Sequence, residues 1–339
     1  MTKRTWLARP ATREDIPAIR TLFAQVMGFQ RPIEHERWKF AENPFGEPLA
    51  MLAEDSERVV GLYALWPTLL HLGNERVLGA QSLDTMTHPE YQGQGMFTHL
   101  ASTCYELAAA RGVGVVYGFP NASSYAGFVR RLNWHHTGDF RSWVRLIRPA
   151  LHPRIPRAFR PIVSAVAAAL PVPAPAGYSV VPGWPETAEM DTLLSSRPER
   201  DRCMIARVPQ WMAYRFGAAG GRSYQPVAVY HASTLKALAV WGRDPFAEYP
   251  RAILADLLGD DPTATRAAVA GAVLAARQSG VASINTLASH RFLPALRACG
   301  FFPGRSVPFV VRQLTARTLP ASIHMHEAWD VIGADLDTL

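Results

Sequence analysis

The stretch Leu83-Asp84-Thr85-Met86-Thr87-His88-Pro89-Glu90-Tyr91-Gln92-Gly93-Gln94-Gly95-Met96-Phe97 constrains this chain more than any other. A strand-like run ends at Thr87, Pro89 has no N–H to extend a ladder, and two glycines then open an amphipathic helix. Such a turn aims several backbone amides at one point, at the positive end of the helix dipole. That point suits a di-anionic pyrophosphate without any charged side chain. Glycine matters because a Cβ hinders close approach of backbone to phosphate. The dinucleotide pattern Gly-x-Gly-x-x-Gly fails, since Thr98 holds its third position, and no Gly-Lys-Ser/Thr follows for a Walker loop. For two spaced glycines alone, a plain structural turn is the alternative.

The surrounding pattern supplies context. Leu7–Pro10 reads as a short strand, and Thr12 with Asp15 three residues later marks a helix start. Ile16, Ile19, Leu22, Phe23 and Val26 follow at helical spacing. Strands are predicted at Leu49–Ala53, Val59–Leu65, Thr68–Leu72 and Gly79–Thr87. A helix runs from Gly95 to Arg111, with Gly112 suited to its C-terminal end. Val113–Phe119 is a continuous apolar strand, and Ser123–Leu132 a further helix before Asn133-Trp134.

With this order in place, the stretch resembles the cofactor motif of the GNAT superfamily of acyl-CoA N-acyltransferases. The family pattern is Gln or Arg, two residues, Gly, one residue, then Gly or Ala. Gln92, Gly95 and the His88-Pro89-Glu90-Tyr91 lead-in match it, whereas Phe97 stands at the final small position. The resemblance covers about Arg9 to Phe140 and implies an α/β (α+β) fold with a mixed, mostly antiparallel central sheet flanked by helices. It also implies acetyl-CoA or another acyl-CoA as co-substrate, with no metal. Thr85, Met86 and Thr87 would bind the pantetheine arm through their backbones, and Gln92, Gly93, Gln94, Gly95, Met96 and Phe97 would cradle the pyrophosphate. Asn121, at the strand-to-helix junction, falls near the family's polar contact to the cofactor, and it suits a helix N-cap equally well.

The chemistry so implied is direct attack of an amine on a thioester, which requires two reactants held in line. A backbone N–H can stabilise the oxyanion, and a carboxylate or water chain takes the ammonium proton. Asp84 is the best-placed carboxylate, with an edge or capping role as its alternative; Glu54 and Glu90 sit in turn-like contexts. His88 belongs to the shape of the loop. The family's acid tyrosine, counted back from Asn133-Trp134, falls on Val129, which carries no proton to give. Tyr125 lies one turn earlier on the same face and is the candidate substitute, with packing as its alternative.

Beyond the first half the pattern recurs. Leu107–Val113 running into Asn121-Ala122-Ser123 parallels Leu274–Val281 running into Leu287-Ala288-Ser289, and Trp38 parallels Trp211. Duplication accounts for 339 residues without a second fold. The expected organisation is a catalytic domain at 1–148, a Pro/Arg/Ala-rich connection at 149–177, a degenerate copy at 178–316 and a tail at 317–339. In the second half Ile253–Asp261 leads to Pro262-Thr263-Ala264-Thr265 with no glycine pair. That half is therefore expected to shape the acceptor cleft or a homodimer and not to bind cofactor. The acidic tail Trp329–Asp337 either approaches the cleft or is solvated.

Composition bounds the rest. Net charge is +7, and only Lys3, Lys39 and Lys236 among 35 basic residues are lysines. The arginines are scattered except at His152–Arg160, which lacks the interleaved aromatics of a nucleic-acid platform. No apolar run approaches the roughly 20 residues that span a bilayer, so no stable membrane insertion is expected. Ile162–Leu170, a short alanine-rich helix, offers little insertion energy and reads as part of the connection. Cys104, Cys203 and Cys299 are widely spaced, which fits a reducing cytoplasm and neither a disulfide scaffold nor a zinc site. The expected partner is a small-molecule amine. A long-chain acyltransferase and a non-catalytic acyl-CoA sensor are the competing readings.

Overall fold

A computed structural model describes residues 5–47, 49–170, 172, 175–196, 202–217, 220–259 and 261–336. The first half begins β1 (Leu7–Pro10), α1 (Ile16–Met27), α2 (Ile33–Ala41), β2 (Leu49–Asp55), β3 (Arg58–Leu72) and β4 (Glu75–Thr87). It continues through α3 (Met96–Ala110), β5 (Val115–Gly118), α4 (Ala122–Ala126) with a π turn over Gly127–Arg131, and β6 (His135–Leu146). After α5 (Arg160–Ala169) the second half runs β7 (Tyr178–Pro182), α6 (Thr187–Ser196), β8 (Cys203–Ile205), α7 (Pro209–Phe216), β9 (Tyr224–His231) and β10 (Thr234–Arg243). It ends with β11 (Arg251–Gly259), α8 (Pro262–Gln278), β12 (Ser283–Ala288), α9 (Leu293–Ala298) and β13 (Phe302–Gln313).

The strands form a single mixed, mostly antiparallel sheet in the order β1-β2-β3-β4-β5-β13-β6-β12-β11-β10-β9-β7, with β8 added on β3. Each half contributes the same series, and each ends by giving its last strand to the other. β13 pairs with β5, and β6 pairs with β12. The exchanged strands also pair with each other from Phe302 to Val311. With β8 on β3, the two copies are thus stitched by four ladders. β13, inside the expected second unit at 178–316, is inserted beside β5 of the first half.

Two strands expected at Val59–Leu65 and Thr68–Leu72 are one 15-residue strand, β3. Pro67 lies between the two expected pieces, and the ladder tolerates it for a local reason. On one edge β2 stops at Leu65 and β8 starts at Leu70, so the missing N–H of Pro67 faces no strand. On the other edge Pro67 sits opposite Ala80 of β4, and its carbonyl accepts from Asn43 Nδ2 at 2.9 Å.

Amphipathic helices cover both faces. α1 buries Ile16, Ile19, Leu22 and Phe23, and with Trp38 and Phe40 of α2 it packs on Leu62, Leu83 and Met86. On the other face α3 buries Met96, Leu100, Ala101, Cys104, Tyr105 and Ala108 against β2, β3 and β5. The tail is not solvated. Trp329 is buried against Tyr117 and Phe309, Asp335 pairs with Arg207 at 2.7 Å, and Asp330 pairs with Arg291 at 2.8 Å.

Candidate active site

At the start of α3, Gly93 and Gly95 both adopt left-handed backbone, with φ of 76° and 79°. Only glycine takes that conformation without strain, and it turns the preceding amides outward. No side chain caps this helix. Its first N–H groups have no partner within the helix either, as at any helix start. Met96 anchors the turn, seated on Gly61, where a Cβ would collide with its sulfur. Phe97 fills the position where the family pattern has Gly or Ala. Room for its ring comes from the π turn: a Cβ on Gly127 would stand 2.8 Å from Phe97 Cε1. The ring meets Tyr63 and Phe128 edge-on instead. His88 shapes the lead-in, its Nδ1 accepting from the Glu90 N–H and its Nε2 lying 2.7 Å from Arg58. Gln92 donates to the Thr87 carbonyl at 3.5 Å.

The equivalent helix start in the second half is closed. Asp261 caps α8, its carboxylate accepting from the Ala264 N–H at 2.7 Å. A protein carboxylate fills the place that α3 leaves open to an anion.

β4 approaches this turn with one free edge. It pairs with β5 only from Gly79 to Ser82, opposite Val115 to Gly118. Directly afterwards the register on β3 shifts between Leu62 and Ala64, and Asp84 takes φ of 44°. The bulge bends β4 away from β5, so Thr85, Met86 and Thr87 present an edge that no strand covers. Asn121 is the N-cap of α4, its side-chain oxygen accepting from the Ser123 and Ser124 amides at 3.0 Å each. The capping role expected as one of its two readings is therefore occupied.

Asp84 points to the α2 side and is clamped. Arg31 reaches it at 2.8 Å and Lys39 at 2.9 Å, and Arg31 also holds Glu36 at 2.6 Å. Burial alone raises the Asp84 carboxyl, but Lys39 and Arg31 outweigh it and hold the group well below the usual carboxylate range. A carboxylate so paired is held as an anion and is a weak proton acceptor, which favours a positioning role over that of a base. Burial pushes Glu36 the other way, above its ordinary value and against the pull of Arg31. The lesser candidates are also engaged elsewhere: Glu54 pairs with Arg9, and exposed Glu90 lies 3.9 Å from His88.

Next to this quartet His35 is buried, its Nδ1 3.0 Å from the Gly220 carbonyl, and burial lowers its pKa to about 4. Above its ordinary value of 6.5 the ring is neutral in folded and unfolded chains alike. As pH falls from there toward 4, the unfolded chain binds a proton that the folded chain refuses. Stability is expected to drop on the order of 3 kcal/mol across that window. Urea unfolding at both ends of the window checks this, and His35→Asn should flatten the dependence.

Tyr125 is not a packing residue alone. Its hydroxyl lies 3.0 Å from His136 Nδ1, and His136 Nε2 lies 2.9 Å from Asp139. Ser306 of the exchanged strand β13 donates to the other Asp139 oxygen at 2.7 Å. Val129, by contrast, packs into the core under α3. The chain Tyr125–His136–Asp139–Ser306 was not legible beforehand, although His136 and Asp139 follow α4 closely enough to have been suspected. Arg31, Glu36 and Lys39 were missed because nothing in helical spacing marks them as partners of a strand residue.

A narrow cleft opens on the α2 side, lined by Trp66, Gln81 and Tyr117 of the first half and Trp211, Tyr214 and Ala334 of the second. Tyr214 organises it, donating to the Trp38 carbonyl at 2.9 Å and accepting from Trp66 Nε1 at 2.8 Å. Among the described residues no His, Cys, Asp or Glu cluster could hold a metal ion, and no helix is long and apolar enough to cross a membrane.

Residues 8–137 match the family model of the acetyltransferase (GNAT) domain. Comparison with curated proteins gives no match. Among solved structures, a GCN5-related N-acetyltransferase from Anabaena variabilis is 11% identical with a TM-score of 0.64, over 92% of this chain and 73% of that one. A tandem GNAT protein from the clavulanic acid biosynthesis pathway is 15% identical with a TM-score of 0.63, over 93% of this chain and 100% of that one. Saccharomyces cerevisiae N-myristoyltransferase is 12% identical with a TM-score of 0.64, over 92% of this chain and 83% of that one.

Proposed function

Because residues 8–137 form a GNAT acetyltransferase domain and the chain is an acyl-CoA-dependent acyltransferase, we propose that it moves an acetyl group from acetyl-CoA to the primary amine of a small molecule. The observation that carries this reading is the pairing of an uncapped helix start at Gly95 with the uncovered edge of β4. The diphosphate would rest on amides from Gln92 to Phe97. The pantetheine arm would extend along Thr85, Met86 and Thr87, which places the thioester where β4 leaves β5.

The amine would enter from the cleft between the halves, past Trp66, Tyr117, Trp211 and Tyr214. Attack of nitrogen on the carbonyl forms the amide and breaks the C–S bond, with the electron pair leaving on sulfur. Tyr125 supplies a proton to that thiolate, re-supplied through His136, whose ring Asp139 orients. Asp84 acts as a positioning residue that fixes the bulge, and water takes the proton of the ammonium. Three buried free thiols support a cytoplasmic location.

The test is thiol release from acetyl-CoA across a panel of amines. Turnover is expected with at least one small amine and should fall off with longer acyl chains. Tyr125→Phe and His136→Ala should each lower kcat by about 100-fold and leave the KM for acetyl-CoA within about threefold. CoA binding without thiol release from any donor and amine would make the chain a sensor. Full activity in Tyr125→Phe would remove the proposed acid.

A further inference from the structure

The geometry of α5 points to a docking surface for anionic phospholipid membranes, separate from the acyl-transfer site. The helix and the turn before it expose Phe159 by 57%, Ile162 by 65% and Val166 by 56%, and Leu151 by 45%. From Pro161 to Leu170 there is no charged side chain. The helix is nevertheless held in place. Ala167 is buried, and Arg145 reaches both the Leu170 carbonyl, at 3.1 Å, and the Cys299 carbonyl. An apolar ridge about 15 Å long is therefore fixed on the surface and left uncovered.

Its electrostatic setting selects the occupant. Between Asp139 and Glu186 the sequence carries six arginines and no carboxylate. Arg148, Arg154 and Arg157 are exposed, and Arg160 is half-buried. Among the described residues none of these four forms an ion pair; Arg148 and Arg160 bond only to backbone carbonyls. Guanidinium groups beside bare Phe, Ile, Val and Leu match a surface that is anionic at its boundary and apolar just beneath, as phosphatidylglycerol presents. A soluble protein partner would need carboxylates aligned with the arginines and an apolar groove between them. A bilayer supplies both without alignment. Each element alone binds weakly, and the combination of short apolar ridge and basic cluster gives reversible attachment, not insertion.

The experiment is co-sedimentation of the full chain with vesicles of phosphatidylcholine, alone or with one third phosphatidylglycerol. Binding is expected only to the anionic vesicles, at least about tenfold above the neutral ones, and weaker at about 0.5 M than at about 0.1 M salt. Ile162→Glu with Val166→Glu, and separately Arg154→Ala with Arg157→Ala, should each reduce it by about tenfold. All four residues are at the surface, so unchanged melting curves and thiol release would show that the fold and the acyl-transfer site are intact. Failure to sediment with anionic vesicles, or binding indifferent to both variant pairs, would overturn the proposal. So would a dimer in gel filtration that Ile162→Glu with Val166→Glu splits into monomers, because a second copy would then cover the face.

Discussion

Gly95→Val is expected to weaken CoA binding by at least about 100-fold while leaving the protein folded. The cause is backbone conformation, not crowding. A Cβ at Gly95 meets nothing within 4 Å, but φ is 79°, which a β-branched residue adopts only with strain of about 1–3 kcal/mol. Relaxing that strain swings the first amides of α3 away from their common point, and the anion loses several charge-assisted hydrogen bonds together. Calorimetry with CoA reads the affinity, and circular dichroism reads the fold. The second half provides the control. Asp261→Ala removes the cap of α8, at a cost of about 1 kcal/mol in stability, and should leave CoA affinity unchanged. Affinity of Gly95→Val within about threefold of the parent would show that the diphosphate rests elsewhere.

Asp84→Leu is expected to destabilise the chain by about 3–5 kcal/mol, the largest loss among single substitutions near the site. Arg31 retains Glu36, but Lys39, whose side chain is 1% exposed, loses the carboxylate 2.9 Å away. A buried ammonium that loses a carboxylate at this distance keeps its desolvation cost and gives up one of the charges that offset it. Lys39→Met combined with Asp84→Leu should recover a good part of the loss, because the double variant removes the buried pair together instead of one member of it. The pH dependence has a fixed sign. The folded carboxyl lies below the unfolded value of about 4, so its stabilisation is complete above that pH and is lost as pH falls beneath it. Denaturant titrations of the parent and the two variants check the ordering. A single variant as stable as the parent would mean that the clamp contributes nothing.

The turn at Gly93 and Gly95 was legible because its determinants are local. Pro89, Gly93 and Gly95 dictate backbone geometry within eight residues, and the helix that follows announces itself by periodicity. The duplicated fold was legible through Leu107–Val113 and Leu274–Val281, since both helices end in a tight turn at the same point of their units. The exchange of β6 and β13 was not. Either strand could have paired within its own half, and the choice rests on long-range ladders that leave no periodic trace. Asp84 shows a different limit. Its place on β4 was correctly read, yet a role assigned from position alone left out Arg31 and Lys39, which arrive from the loop before α2 and from α2 itself, more than forty residues away. The choice between the two readings of the tail was out of reach for the same reason: Asp335 is buried because it pairs with Arg207, and Ala334 reaches the cleft.

Amide chemical shifts of the nitrogen-15-labelled chain during titration with CoA interrogate the nest directly. Saturable shifts should be largest at Gly93, Gln94, Gly95 and Phe97 and negligible at Ala264 and Thr265, where Asp261 already occupies the helix start. Saturable binding with its largest shifts outside the Gln92–Phe97 turn, or no binding at all, would contradict a diphosphate held by those amides.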